Sequence, residues 1–161
     1  MDTLIPISGG YKSAWLLARW LKSHPGHVRV LHCRTGTKRD NDGDRSYTAI
    51  RAFCEQTYPG RVTWHDAAIS TMWDAAPAPA EVLDFLLKHF IAIHKIKNVI
   101  TPIRLGLGKI ETVTTVDSSD VLIDLPDHLI SKTTYCEDSI LPCGTCPACA
   151  VMDNARKQIG R

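Results

Sequence analysis

Short apolar runs closed by glycine or proline alternate along the chain with longer stretches whose apolar residues recur every three to four positions. Thr3 to Ser8 is the first such run, and its end at Gly9-Gly10 predicts a short buried strand. Ser13 to Ser23 is rich in strong helix formers and predicts a helix closed by His24-Pro25-Gly26. His27 to Cys33 predicts a second strand, and the charged stretch Arg34 to Asp44 a loop. Arg45 to Tyr58 places Ile50, Phe53, Cys54 and Thr57 on one helical face and stops at Pro59-Gly60. Arg61 to His65 alternates and predicts a third strand. Beyond a Pro- and Ala-rich connection from Ser70 to Pro79, Ala80 to Lys95 predicts the longest helix, with Leu83, Leu86, Leu87, Phe90, Ile91 and His94 on one face. Asn98 to Ile103 predicts a fourth strand.

Later segments carry weaker patterns. Gly106 to Val116 is ambiguous, because Lys109-Ile110-Glu111 favours helix and β-branched Thr112 to Val116 favours strand. Val121 to Leu125 fits a last short strand, and Ala150 to Gln158 a terminal helix. Regular alternation of strand and helix predicts an α/β fold, a doubly wound parallel sheet over residues 1–132. A small cysteine module and helix over 133–161 follow it. Pro6 removes a ladder donor from the first strand, which predicts local irregularity or a place nearer a sheet edge.

Composition narrows the function classes. A chain of 161 residues, 44% hydrophobic and 22% charged, suits one ordinary domain and excludes disorder, collagen and a disulfide-dense miniprotein. The net charge of +2, from 19 Lys+Arg against 17 Asp+Glu, gives no strong nucleic-acid signal. No run of about 18 apolar residues predicts a membrane span. Met1-Asp2-Thr3-Leu4 carries neither a basic n-region nor an apolar h-region, so a cytoplasmic location is expected.

Two motifs carry chemistry. Ser8-Gly9-Gly10-Tyr11-Lys12-Ser13 joins the first strand to the first helix. Ligands of open parallel sheets bind beyond the carboxyl ends of the strands, and a helix N-terminus favours a phosphate. Glycines let the backbone approach the anion, Ser8 and Ser13 offer hydroxyls and Lys12 a cation. A strand-to-helix turn with a serine N-cap, binding nothing, explains the same residues. The spacing matches neither Gly-x-Gly-x-x-Gly nor the P-loop.

The second motif is Cys136-x6-Cys143-x2-Cys146-x2-Cys149, four of the six cysteines. Thiolates bind zinc tetrahedrally, and four of them fill a structural site. Two disulfides in so short a stretch would be strained. An iron–sulfur cluster is the competing reading: no cysteine follows Cys149 at the ferredoxin distance, and a remote ligand such as Cys136 would complete the set. Cys33 and Cys54 lie in strand and helix patterns and read as small buried residues. A catalytic role for Cys33, near a strand end, is the competing reading. The seven histidines show no ligand spacing, and none is assigned to a metal. Trp15, Trp20, Trp64 and Trp73 read as core or interface, with Trp15 also within reach of a bound adenine.

Ser-Gly-Gly-x-x-Ser after an N-terminal strand resembles the PP-loop of ATP pyrophosphatases, Ser-Gly-Gly-x-Asp-Ser. With the tail Thr133-Thr134-Tyr135-Cys136 and Cys143-Gly144-Thr145-Cys146-Pro147-Ala148-Cys149, the chain resembles a short, divergent 7-cyano-7-deazaguanine synthase. Thr101-Pro102-Ile103 and Gly108-Lys109-Ile110-Glu111-Thr112 are similar to a further stretch of that family. Lys12 stands where the PP-loop has Asp, and Ala78-Pro79-Ala80-Glu81 where the family has Gly-Arg-Asn.

The resemblance implies an ATP-dependent carbon–nitrogen ligase. ATP adenylates a 7-carboxy-7-deazaguanine-like carboxylate, ammonia displaces AMP, and a second activation dehydrates the amide to the nitrile. It implies phosphate cradling by Ser8, Gly9, Gly10 and Ser13 and catalytic cations at Lys12 and Lys109, with Arg104 a further candidate. It also implies structural zinc on Cys136, Cys143, Cys146 and Cys149, magnesium with the ATP, and a homodimer. Lys38, Arg39 and Arg45 read as a solvated basic loop. Two alternatives stand beside the ligase: an inactive homologue that binds a nucleotide or a partner protein as a regulator, and a tRNA-thiolating enzyme. Lys12 favours the first. The near-neutral charge argues against the second.

Overall fold

A computed structural model describes residues 2–34, 40–69, 79–102, 117–133 and 143–160. Four strands, β1 (Thr3–Ile7), β2 (Val28–Arg34), β3 (Val62–Ala68) and β4 (Asn98–Val99), form one parallel sheet in the order β3-β2-β1-β4. Thr3 to Ile7 pair in register with Val28 to His32, and Val28 to Arg34 with Val62 to Ala68. Thr3 and Leu4 pair with Asn98 and Val99 on the other side of β1. The chain thus steps outward through β2 and β3, then crosses back past β1. The order reverses between β1 and β4, the topological switch point of an open sheet.

Helices α1 (Tyr11–Ser23) and α2 (Asp40–Thr57) cover the face onto which Ile5, Ile7, Val28 and Val30 project. Helix α3 (Pro79–His94) covers the opposite face, with Leu4, Leu31, Cys33 and Val99 beneath Leu87. Right-handed crossovers require this split, because the two outward steps and the return step run in opposite directions along the sheet. Neighbouring residues of β1 serve opposite cores, which is why the strand reads as an unbroken apolar run.

Pro6 sits in an interior strand, not at an edge. The Ile100 N–H donates to the Leu4 carbonyl at 2.9 Å. Backbone groups along a strand alternate sides, so Leu4 and Pro6 both turn their backbone toward β4. The missing donor therefore falls beyond the two-residue β4 ladder, where it breaks no pairing with β2.

Several boundaries differ from the sequence pattern. The fourth strand is only Asn98–Val99, and β3 runs three residues beyond His65. Helix α2 begins at Asp40, inside the stretch expected to be loop. The run Arg34 to Asp44 is polar in composition, and polarity alone does not separate a loop from the exposed start of a helix. Val121 to Leu125 is not a strand: helix α4 (Ser118–Asp124) occupies it, capped by the Asp117 carboxylate, which accepts from the Ser119 N–H at 2.8 Å. Val121, Leu122 and Leu125 are buried at helical spacing, and the sequence run was too short to separate the two periods. A single turn, α5 (Asp127–Ile130), follows, and α6 (Pro147–Gln158) starts three residues ahead of its expected place, with Pro147 in its first turn. The ambiguous 106–116 segment lies outside the described residues.

The cysteine segment is not left hanging from this core. Met152 and Ala155 of α6 are buried in the same cluster as Trp15, Leu122 and Leu129. Burying a side chain of that size contributes roughly 1.5–3 kcal/mol. Elsewhere Arg61 closes α1, donating to the carbonyls of Leu21 (2.8 Å) and Gly26 (3.0 Å) and to that of His24. No helix among the described residues is long and apolar enough to cross a membrane.

Candidate functional site

The turn after β1 is shaped by Gly9. Its φ of +85° is a left-handed conformation that side chains disfavour. It is also crowded: a methyl group there would lie 2.7 Å from the Gly43 Cα and 2.8 Å from the Gly43 carbonyl oxygen. Gly43 is needed in turn, since a methyl on it would meet the Ser8 carbonyl at 3.1 Å. A glycine inside a helix costs about 1 kcal/mol, and this contact explains why α2 carries one.

Gly10 is the N-cap of α1, and no side chain caps it. The expected serine cap is therefore absent from this helix. Ser13 is buried and donates its hydroxyl to the Gly10 carbonyl at 2.9 Å, so that proton holds the turn together. Ser8 is exposed. Lys12 is exposed too, its ammonium 5.9 Å from the centre of the Tyr11 ring. The structure thus brings Ser8, Gly9, Gly10, Lys12 and Ser13 into one strand-end turn at the first turn of α1. Lys109 and Arg104, and the loop residues Lys38 and Arg39, lie outside the described residues; Arg45 is exposed on α2.

Trp15 takes no part in this turn's surface. It is buried, and its indole N–H donates to the Asp124 carboxylate of α4 at 3.0 Å. The contact with a bound adenine expected from its place in the sequence is not available to it.

Beside the turn lies a group that spacing did not disclose. His32, in the carboxyl-terminal half of β2, is 2% exposed. Its Nδ1 lies 3.2 Å from Asp66 on β3, and its Nε2 3.6 Å from Asp44 on α2. The ring stacks on Tyr47 at 4.2 Å, and Arg34 Nε donates to the same Asp44 oxygen at 2.8 Å. Two part-exposed carboxylates are thereby pinned at the carboxyl end of the sheet. The signal was topological: His32 and Asp66 are register partners, which only strand pairing shows.

The second centre is Cys143, Cys146 and Cys149. Their sulfurs all lie within 4.8 Å of one another, and the Sγ atoms of Cys143 and Cys149 are 3.9 Å apart. A tetrahedral ion at about 2.3 Å from each thiolate would space its sulfurs about 3.8 Å apart. These three can hold a metal ion. Gly144, with φ +75°, turns the chain so that N–H groups point back at sulfur. The Cys143 Sγ accepts from the Cys146 N–H (3.3 Å), the Thr145 N–H (3.5 Å) and the Thr145 hydroxyl (3.4 Å). The Cys146 Sγ caps α6 by accepting from the Cys149 N–H at 3.4 Å. Donors of this kind orient thiolates and spread their charge. Cys136, the expected fourth ligand, lies outside the described residues.

Cys33 and Cys54 are buried apart from this centre, and burial pushes both thiols up to about 12, with Glu55 adding to the effect at Cys54. Neither has the activated character of a nucleophile. No protein-family model matches the sequence, and comparison with curated proteins gives no significant match.

Proposed function

We propose that the chain is a nucleotide-binding α/β protein of the PP-loop type, stabilised by zinc and acting as an ATP-dependent ligase on a 7-carboxy-7-deazaguanine-like carboxylate. One observation carries the reading. The Gly9 turn stands at the carboxyl end of the strand beside the switch point and runs directly into the first turn of a 13-residue helix. That is where open parallel sheets receive anions. The cysteine centre on the same chain supports the narrower family reading.

In this account the amide groups of the first turn of α1 and the Ser8 hydroxyl receive the ATP phosphates. The exposed Lys12 ammonium neutralises charge on them, and Lys109 supplies a second cation. Ser13 keeps the turn in shape through Gly10. Attack of the carboxylate on the α-phosphorus releases pyrophosphate, and ammonia then displaces AMP. The protein contributes placement and charge compensation at phosphorus. Cys143, Cys146 and Cys149, with Cys136, would hold zinc, which keeps the C-terminal segment folded.

A second reading is a homologue that binds nucleotide without turnover. It is favoured by Lys12 at the motif's Asp position, since an ammonium cannot ligate magnesium. The deciding experiment is pyrophosphate release from ATP by zinc-loaded protein with magnesium, ammonium and 7-carboxy-7-deazaguanine. Substrate-dependent release, with a product mass showing gain of nitrogen and loss of water, supports the ligase. ATP binding without release, unchanged in Lys12→Asp, supports the non-catalytic reading.

A further inference from the structure

We infer that Cys143 and Cys149 are a peroxide-responsive pair whose oxidation to a disulfide expels the metal and loosens α6. The inference rests on the metal-centre reading and gives that centre a second chemical state. The Sγ atoms stand 3.9 Å apart. Closure to a bond of about 2.05 Å requires less than about 2 Å of combined movement.

The two sulfurs are also unequal. Cys143 is half-buried and accepts hydrogen bonds from the Thr145 N–H, the Thr145 hydroxyl and the Cys146 N–H. Cys149 is 1% exposed, in the first turn of α6. A small hydroperoxide reaches the first sulfur, and the covered one is placed to resolve it. The Cys143 thiolate attacks a peroxide oxygen, the O–O bond breaks, and a sulfenic acid forms with release of hydroxide. The Cys149 thiolate then attacks the Cys143 sulfur, the S–O bond breaks, and a second hydroxide leaves. Two electrons pass from the sulfurs to the peroxide, and two protons from solvent complete two waters. Both sulfurs lose their anionic charge, and with it their hold on the ion.

The consequence extends to the nucleotide turn. Ser119 of α4 donates to Gln158 of α6 at 3.0 Å, and the adjacent Ser118 hydroxyl shares a 3.2 Å hydrogen bond with the hydroxyl of Tyr11, the first residue of α1. Loss of the α6 dock removes the support behind α4.

The test uses the full zinc-loaded chain and hydrogen peroxide. Metal content is read first, then metal release with a chromogenic chelator, and the cross-link by tandem mass spectrometry of the cysteine segment. The expected result is metal release that tracks a mass loss of about 2 Da, a Cys143–Cys149 bond, and reversal by dithiothreitol with added zinc. Cys33 and Cys54 are expected to remain reduced. Because Cys149→Ser removes a candidate ligand, the unmodified chain carries the decision, and Cys54→Ser, outside the three-sulfur group, is expected to respond as the parent does. Release without that cross-link, or a bond to another cysteine in its place, overturns the inference. A chain that carries no metal at the outset refutes the metal-centre reading itself. A metal-loaded chain that peroxide leaves unchanged refutes only the switch.

Discussion

Gly9 and Gly144 occupy the two candidate centres, and they differ in what surrounds them. Both have positive φ, +85° and +75°. Gly9 is enclosed, with the Gly43 backbone where a methyl group would be, whereas a methyl group on Gly144 would meet nothing within 4 Å among the described residues. The strand-end turn is therefore built by tertiary packing, since α2 must lie across it. The cysteine turn is built locally, from a left-handed glycine and N–H groups aimed at sulfur. A site of the first kind fails when its neighbours move. A site of the second kind fails when its ligand atoms change.

That contrast orders the expected effects. Removing the metal, by chelation or by Cys146→Ser, acts on the local centre and lowers stability most, by more than about 4 kcal/mol. Chemical denaturation of the holo and metal-free chains measures it, and equal midpoints would break the contrast. Gly9→Ala combines backbone strain with overpacking and costs about 3 kcal/mol; the same denaturation experiment reads it. Ser13→Ala removes one of two donors to the Gly10 carbonyl, which keeps the Ala14 N–H at 3.2 Å, and costs about 1 kcal/mol. Titration calorimetry of that variant should give an ATP affinity close to the parent, while Lys12→Ala should weaken ATP binding with little change in stability. Gly144→Ala meets no neighbour among the described residues and costs about 1 kcal/mol. A Gly144→Ala penalty as large as that of Gly9→Ala would remove the distinction between the two turns.

The smallest expected effect concerns the α3 face. His65 is held below its ordinary range, first by burial, then by His94 and Arg29, with Asp66 opposing. Its ring lies 5.3 Å from His94 and 4.9 Å from Phe90. The unfolded chain takes up this proton more readily than the folded one. Stability from His65 is thus present above about pH 6.5 and is lost as pH falls from there toward the lower folded value. His65→Phe should flatten that part of the stability profile measured by thermal melts.

The alternation of strands and helices was legible because β1, β2 and α1 to α3 each carry an apolar pattern of one period. The α4 segment was not, because a five-residue run fits two periods until Asp117 is seen to cap it. The cysteine centre was legible because its three described cysteines fall within seven residues and need no long-range contact. The Ser13 hydroxyl donates to the Gly10 carbonyl, a use that the sequence does not disclose because a hydroxyl in a turn has several oxygens within reach. His32 was missed because its partners, Asp44 and Asp66, reach it from two other elements. Gly43 is the same lesson in the backbone, a helical glycine explained only by the turn it touches.

The central claim is that the turn at Gly9 to Ser13 receives the phosphates of a nucleotide. Amide hydrogen exchange of the zinc-loaded chain, with and without ATP, tests it most directly. The account predicts slowed exchange confined to the peptide spanning Gly9 to Ser13 and the start of α1, weakened in Lys12→Ala. ATP binding that leaves this peptide unchanged and protects another part of the chain would contradict it.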